Sequence, residues 1–258
     1  MKVVIFCGGK GYRLREETEF RPKPLIEIGG KPMLWHIMNT YAHYGYNDFV
    51  LCLGYKGEMI RRYFLHYLAM NNDVTVDFSS QGQVAFPRLK DNPPWKVTLV
   101  DTGLETMTGA RLKRVQDYID TDLFMLTYGD GVADINVRKL VKFHKRQGKI
   151  GTVTGVPPSS RFGELVLERR RVKQFSEKPK SKKTFINGGF FVFDKRIFKY
   201  VTRRSNCTFE REPLERLARD SQLAHYRHEG FWHCMDTFRD MKHLNELCLR
   251  KKAPWIVW

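Results

Sequence analysis

The sequence predicts an α/β fold: a doubly wound, mainly parallel sheet followed by a C-terminal α+β elaboration. Three observations lead there. Short apolar, β-branched runs alternate with helix-periodic stretches as far as residue 156, the pattern of linked strand–helix–strand units. Glycines cluster where two of those runs end, at Gly8 to Gly11 and at Gly129 to Gly131. Open α/β sheets bind ligands at the carboxyl ends of their strands. After Pro157-Pro158 the alternation stops without a linker, so one domain is expected over 1–258, its first part to about residue 156 and its second from about 157.

The elements follow in order. Lys2 to Cys7 reads as a buried parallel strand. Lys31-Pro32 opens a helix, with proline in the first turn and Met33, Leu34, Ile37, Met38 and Tyr41 on one face, and Gly45 ends it. Asp48 to Leu53 is the next strand, parallel to the first across a right-handed crossover. A helix over Lys56 to Met70 and a strand over Val74 to Phe78 come next. Gln81 to Trp95, with Pro87, Pro93 and Pro94, reads as a loop insertion long enough to suggest a functional or oligomer role. Lys96 to Asp101 is a strand, Arg111 to Ile119 a helix, and Leu123 to Tyr128 a strand running into Gly129-Asp130-Gly131. A helix over Asn136 to Gln147 and a strand over Ile150 to Val156 complete the alternation. Beyond it, Leu165 to Leu167 and Val172 to Phe175 form a hairpin, and Phe185 to Phe193 is a strand. Helices over Lys195 to Tyr200 and Phe209 to Asp220, a strand over Leu223 to His228, and a final helix capped at Asp236-Thr237 close the chain.

The 258 residues suffice for one large core, and no apolar run is long enough to span a membrane. The chain enters a strand at once, without a basic-then-apolar leader, so a cytoplasmic protein is expected. Five widely spaced cysteines without a Cys-x-x-Cys read as reduced. The formal charge of +17 favours anionic partners such as nucleotides and sugar phosphates. The basic residues between Arg161 and Arg204 read as a solvated face rather than a nucleic-acid surface.

Candidate chemistry begins at the glycine loop. Bare backbone N–H groups at a strand end make a nest for anions, and Arg13 and Lys23 add two cations, which points to a nucleoside triphosphate. Neither the dinucleotide fingerprint, which needs glycine at Leu14, nor the Walker pattern, which needs Ser or Thr after Lys10, is present. Asp130, between glycines at a strand end, suits Mg²⁺ beside phosphates, and Asp236 is the candidate second carboxylate. Glu177-Lys178 and Asn187-Gly188-Gly189 offer a cation and hydroxyl partners for a sugar phosphate. His225, His228, His233 and Cys234 are not read as a zinc site, since His225 and His228 fall on opposite faces of a strand. Trp35, Trp232 and the run from Phe190 read as core.

Taken together these stretches resemble the sugar-1-phosphate nucleotidyltransferases, and within them the glucose-1-phosphate cytidylyltransferase family. The segments that carry the resemblance are Glu27 to Met38, Val97 to Gly103, Met107 to Val115, Thr127 to Asp134, Ile186 to Val192 and Lys252 to Trp255. It covers essentially the whole chain. It implies the nucleotide-diphospho-sugar transferase fold, with a Rossmann-like, mixed but mainly parallel sheet. It implies CTP and α-D-glucose 1-phosphate as substrates, CDP-glucose and pyrophosphate as products, Mg²⁺ as cofactor, and a homo-oligomer such as a hexamer. By the same resemblance Phe6, Cys7, Gly8, Gly9, Lys10, Gly11, Tyr12 and Arg13, with Lys23, Thr106, Arg111 and Gly129, contact the nucleotide. Arg13, Lys23, Asp130 and Asp236 are catalytic, and Asp130 and Asp236 hold the metal. Glu177, Lys178, Asn187 and Gly188 hold the sugar phosphate. Two departures stand out: Tyr12 where the family usually has threonine, and Cys7 where it usually has alanine. A transferase for another base or sugar, and a non-catalytic nucleotide- or RNA-binding relative, remain open at this point.

Overall fold

The computed structural model describes residues 1–80, 82–88, 92–158, 164–168, 171–176 and 184–258. A seven-stranded sheet forms the centre. Its strands are β1 (Val3–Cys7), β2 (Asp48–Leu53), β3 (Lys96–Asp101), β4 (Leu123–Tyr128), β5 (Gly151–Val156), β6 (Ile186–Asp194) and β7 (Leu223–Arg227). The order across the sheet is β7-β5-β6-β4-β1-β2-β3. β1 pairs in parallel with β2 and β4, β2 with β3, and β5 with β7. β6 alone runs antiparallel, between β4 and β5. The sheet is therefore mainly parallel, as the alternation predicted, and mixed, as the resemblance implied.

Both faces are covered, which explains why the strands read as continuous apolar runs. Along β1, Val3, Ile5 and Cys7 face one core and Val4 and Phe6 the other. The first core packs against α1 (Met33–His43), α2 (Gly57–Leu65) and the closing Trp255. The second packs against α3 (Thr108–Arg114), Phe209 and Leu217. The other principal helices are α4 (Val137–Gln147), capped by the Asn136 side chain, α5 (Glu212–Arg219) and α6 (Phe238–Leu249). No helix among the described residues is long and apolar enough to cross a membrane. All five cysteines are free.

Several local expectations are corrected. Pro32 precedes α1 in extended backbone, and Lys31–Pro32 pairs with Glu27–Ile28 as a two-residue ribbon. The expected helix from Lys56 breaks at His66 into α2 and a short second helix, Tyr67–Asn71. Thr75–Asp77 leaves the main sheet and pairs with Gln83–Ala85, so part of the expected loop insertion is a strand. The turn after Asp130 is also paired: Gly131–Ala133 runs antiparallel to Trp232–Cys234. The predicted helix over Lys195 to Tyr200 is a 3₁₀ turn, Lys195–Lys199.

Candidate active site

The glycine loop leaves β1 and turns at Gly11, whose φ of 66° lies in the left-handed region that glycine favours. A short 3₁₀ turn, Tyr12–Leu14, follows and carries Arg13. Beneath the loop lies Arg111, only 4% exposed. Its guanidinium donates to the carbonyls of Leu53 (2.9 Å), Gly103 (2.8 Å), Gly8 (3.0 Å) and Leu104 (3.3 Å), and to the Thr102 hydroxyl at 2.6 Å. These partners sit at the ends of β1, β2 and β3, so one side chain ties three strand ends together. A Cβ on Gly8 would lie 2.3 Å from the guanidinium carbon, which accounts for glycine there. Burial lowers the Arg111 pKa, with Arg114 adding to the effect. Thr106 is buried, and its hydroxyl accepts from Arg114 at 2.7 Å.

At the carboxyl end of β4 two acids meet two cations. Lys23 Nζ donates to Asp130 Oδ2 and to Asp236 Oδ1, each at 2.7 Å. Arg13 Nη1 reaches Asp236 Oδ2 at 2.7 Å. Burial alone would push the Lys23 ammonium down, but the charge of Asp130 and the hydrogen bonds to both carboxylates outweigh it and hold it well above its usual value. Asp236 is free for this role because it does not cap the last helix. Thr237 is the cap of α6, in a capping box with Asp240, while the Asp236 side chain turns into the site. Cys234, on the ribbon strand facing Gly131, joins the group: one ligand atom each from Asp130, Cys234 and Asp236 lie within 4.8 Å of one another. Burial, then the charge of Asp130, raise its thiol pKa. The ammonium seated between the carboxylates already stands where a cation would, and hard oxygen donors of this kind suit Mg²⁺.

Two cavities meet at this junction. One, of about 580 Å³, is lined by Phe6 to Arg13, Lys23, Thr106, Arg111 and Gly129, the whole sequence-predicted nucleotide set. The second, of about 340 Å³, is lined by Asn187, Gly188, Trp232, Glu210, Cys234 and Asp236 among others. Arg13, Tyr128 and Asp130 line both. Glu177 and Lys178 lie outside the described residues.

Sequence reasoning missed part of the lining. Glu210 accepts from the Tyr128 hydroxyl at 2.6 Å and from Thr108 at 2.7 Å, so it braces the partition between the cavities. Burial raises the Tyr128 pKa, and Glu210 raises it further. Asn187 donates to the same Tyr128 hydroxyl at 3.2 Å. Trp232, read as core, is part of the second wall, its indole N–H donating to the Gly188 carbonyl at 2.7 Å. Of the histidines not read as zinc ligands, His228 pairs with Asp134 and His233 with Asp240. At the mouth of the first cavity Lys10 bridges to Glu105 at 2.6 Å and lies over the exposed Tyr12 ring. Tyr12 is 74% exposed there.

The family model for nucleotidyl transferases matches residues 2–248. The chain belongs to the nucleotidyl transferase family. A protein of Bacillus subtilis (strain 168), called a probable glucose-1-phosphate cytidylyltransferase, is 47% identical over the full length of both chains. The glucose-1-phosphate cytidylyltransferase of Salmonella typhi is 46% identical, again over all of both. Among solved structures, HddC from Yersinia pseudotuberculosis complexed with GMP-PN superposes with a TM-score of 0.67 at 22% identity, covering 95% of this chain and 98% of that one. At that identity the likeness speaks for the nucleotidyl transferase fold alone. The family member described here thus bears out both the fold class and the resemblance read from its motifs.

Proposed function

We propose that the protein transfers a cytidylyl group from CTP to α-D-glucose 1-phosphate, giving CDP-glucose and pyrophosphate. The observation that carries this reading is the pair of cavities joined at Arg13, Tyr128 and Asp130. Two separate anions, brought to one point, are what an in-line phosphoryl transfer requires. The names of the full-length relatives supply the base and the sugar.

In this reading the triphosphate lies on the N–H groups of Gly8 to Gly11, with the base over Gly129 and near Thr106. Arg111 shapes that floor from below. The glucose 1-phosphate lies in the second cavity, its hydroxyls toward Asn187 and Gly188; by the family resemblance Glu177 and Lys178 are its proposed further partners, Lys178 for the phosphate. A phosphate oxygen of the sugar attacks the α-phosphorus, and the bond from that phosphorus to the β-phosphate bridging oxygen breaks. The electron pair leaves with pyrophosphate, whose charge Arg13 and Lys23 offset. To reach it both cations must exchange a carboxylate for a phosphate, a like-for-like swap of anionic partners. Asp130 and Asp236 would hold Mg²⁺, which draws charge from the phosphate oxygens when bound.

Oligomerisation belongs to the same proposal. Leu65, Met70, Phe78 and Val84 are 77%, 80%, 86% and 55% exposed on neighbouring stretches that contribute nothing to the main sheet. A second copy of the chain is their proposed cover, and the cytoplasm the proposed location. The catalytic reading is tested with Asp130→Asn and Asp236→Asn across a Mg²⁺ titration. Each should lower turnover at least about a hundredfold, the scale of losing one electrostatic anchor. Near-normal CDP-glucose formation by either variant at low Mg²⁺ would overturn it.

A further inference from the structure

We propose that Cys234 makes the carboxylate pair a site for a soft divalent cation of the Zn²⁺ class, bound in competition with Mg²⁺. This rests on the reading of Asp130 and Asp236 as the metal carboxylates. Three observations carry it. Donor atoms of Asp130, Cys234 and Asp236 lie within 4.8 Å of one another. Ligands around one tetrahedral Zn²⁺, with bonds of about 2.0 to 2.3 Å, are spaced by roughly 3.3 to 3.8 Å, so side-chain rotation suffices to close the set. The position between the carboxylates is already one that takes a positive charge, because the Lys23 ammonium sits there at 2.7 Å from each. And Cys234 is not filling a core: it lines the second cavity, beside Trp232 and Asp236.

The chemistry separates the two metals. Mg²⁺ demands a near-octahedral shell of oxygens, and a thiol offers it nothing. Zn²⁺ takes sulfur and carboxylate oxygen together in a tetrahedral shell, with a fourth position left for water or a phosphate oxygen. Binding forms the metal–sulfur bond and releases the thiol proton to solvent, with no change of oxidation state. Lys23 must swing out, as it also must to meet a phosphate. A cation so held leaves fewer positions for phosphate oxygens, so Zn²⁺ at this site inhibits Mg²⁺-supported turnover.

The test uses Cd²⁺ as a spectroscopic probe on the intact protein, followed by its thiolate-to-metal charge-transfer absorption in the ultraviolet. One equivalent of Cd²⁺ should give the band, and Zn²⁺ should abolish it by competition. Cys234→Ser and Cys234→Ala should both lose it while remaining folded by circular dichroism, whereas Cys207→Ser and Cys248→Ser keep it. The affinity loss should be about a hundredfold or more, since even outer-shell changes cost roughly 10 to 100-fold. No band in the folded wild type, or a band that survives both Cys234 variants, overturns the proposal. The absorption does not depend on turnover, so a band without CDP-glucose formation would remove the catalytic reading alone, and turnover without a band would remove this one alone.

Discussion

Replacing Lys23 by methionine removes the one ammonium shared by Asp130 and Asp236 and leaves two neighbouring carboxylates with only the largely exposed Arg13, on Asp236, to offset them. Their side chains are 28% and 14% exposed, so solvent screens them incompletely. At a separation of up to 4.8 Å, Coulomb repulsion amounts to about 3.5 kcal/mol at an effective dielectric constant near 20. Partial exposure reduces that, and loss of a buried partner typically costs roughly 3 to 5 kcal/mol, so a destabilisation of about 3 kcal/mol is expected. For a chain of this size that corresponds to a fall in Tm of roughly 6 to 12 °C. The same repulsion should make the variant a better ligand for a divalent cation in the absence of substrate. Thermal denaturation with and without Mg²⁺ reads both effects, because a ligand bound only by the native state stabilises it by about 1.4 kcal/mol for each tenfold excess over Kd. Lys23→Met should therefore regain more Tm from Mg²⁺ than the wild type does, while its turnover stays low for want of the phosphate-binding cation. An equal Mg²⁺-induced shift in the two proteins would refute the reasoning, since the carboxylates would then not form a common cation site.

Three further predictions follow from other parts of the molecule. Lysine cannot span the five acceptors that Arg111 holds, so Arg111→Lys should lower kcat/KM for CTP about a hundredfold and increase hydrogen exchange at Gly8 and Thr102; unchanged exchange there would deny Arg111 its organising role. Solvent screens the Lys10–Glu105 bridge, so Glu105→Gln should free Lys10 for the triphosphate and lower the KM for CTP by up to about fivefold, with Lys10→Met acting in the opposite sense; two unchanged KM values would contradict this. His36 is held neutral: the Trp255 indole N–H donates to its Nδ1 at 3.2 Å, so Nε2–H donates to the Ile28 carbonyl at 2.8 Å, and burial sets its pKa below 6.5. The unfolded chain therefore binds the proton more readily, and the stability His36 supplies is complete above pH 6.5 and lost as the pH falls through the folded value. His36→Gln should flatten the fall in Tm between about pH 7 and about pH 5; an unchanged slope would show that His36 does not contribute.

What was legible in the sequence was mostly local. The strands of the central sheet could be read because burial on both faces leaves continuous apolar runs, and β1 to β4 fall within a residue of their expected ends. The residues that line the cavity of about 580 Å³ could be grouped because most of them belong to one loop whose glycines and cations are neighbours in sequence. Long-range pairing was harder. The ribbon between Gly131–Ala133 and Trp232–Cys234 joins segments about a hundred residues apart, and only that pairing brings Cys234 beside Asp130. Glu210 carries no local signal, since its importance lies in two hydroxyls that reach it from distant strands and loops. Asp236 and Thr237 were equally good caps by residue type. The capping box settles on Thr237 because Asp240 reciprocates, and that leaves the carboxylate of Asp236 for the site.

The most direct test of the central claim is pyrophosphate release from α-D-glucose 1-phosphate with Mg²⁺, with CTP, UTP, dTTP, ATP and GTP offered in parallel. The account predicts strong release with CTP, CDP-glucose as the accompanying product, and little release with the other four. Release of comparable size with another base would contradict the assignment of CTP while keeping the in-line mechanism. No release with any of the five, from protein shown to be folded, would contradict the account as a whole.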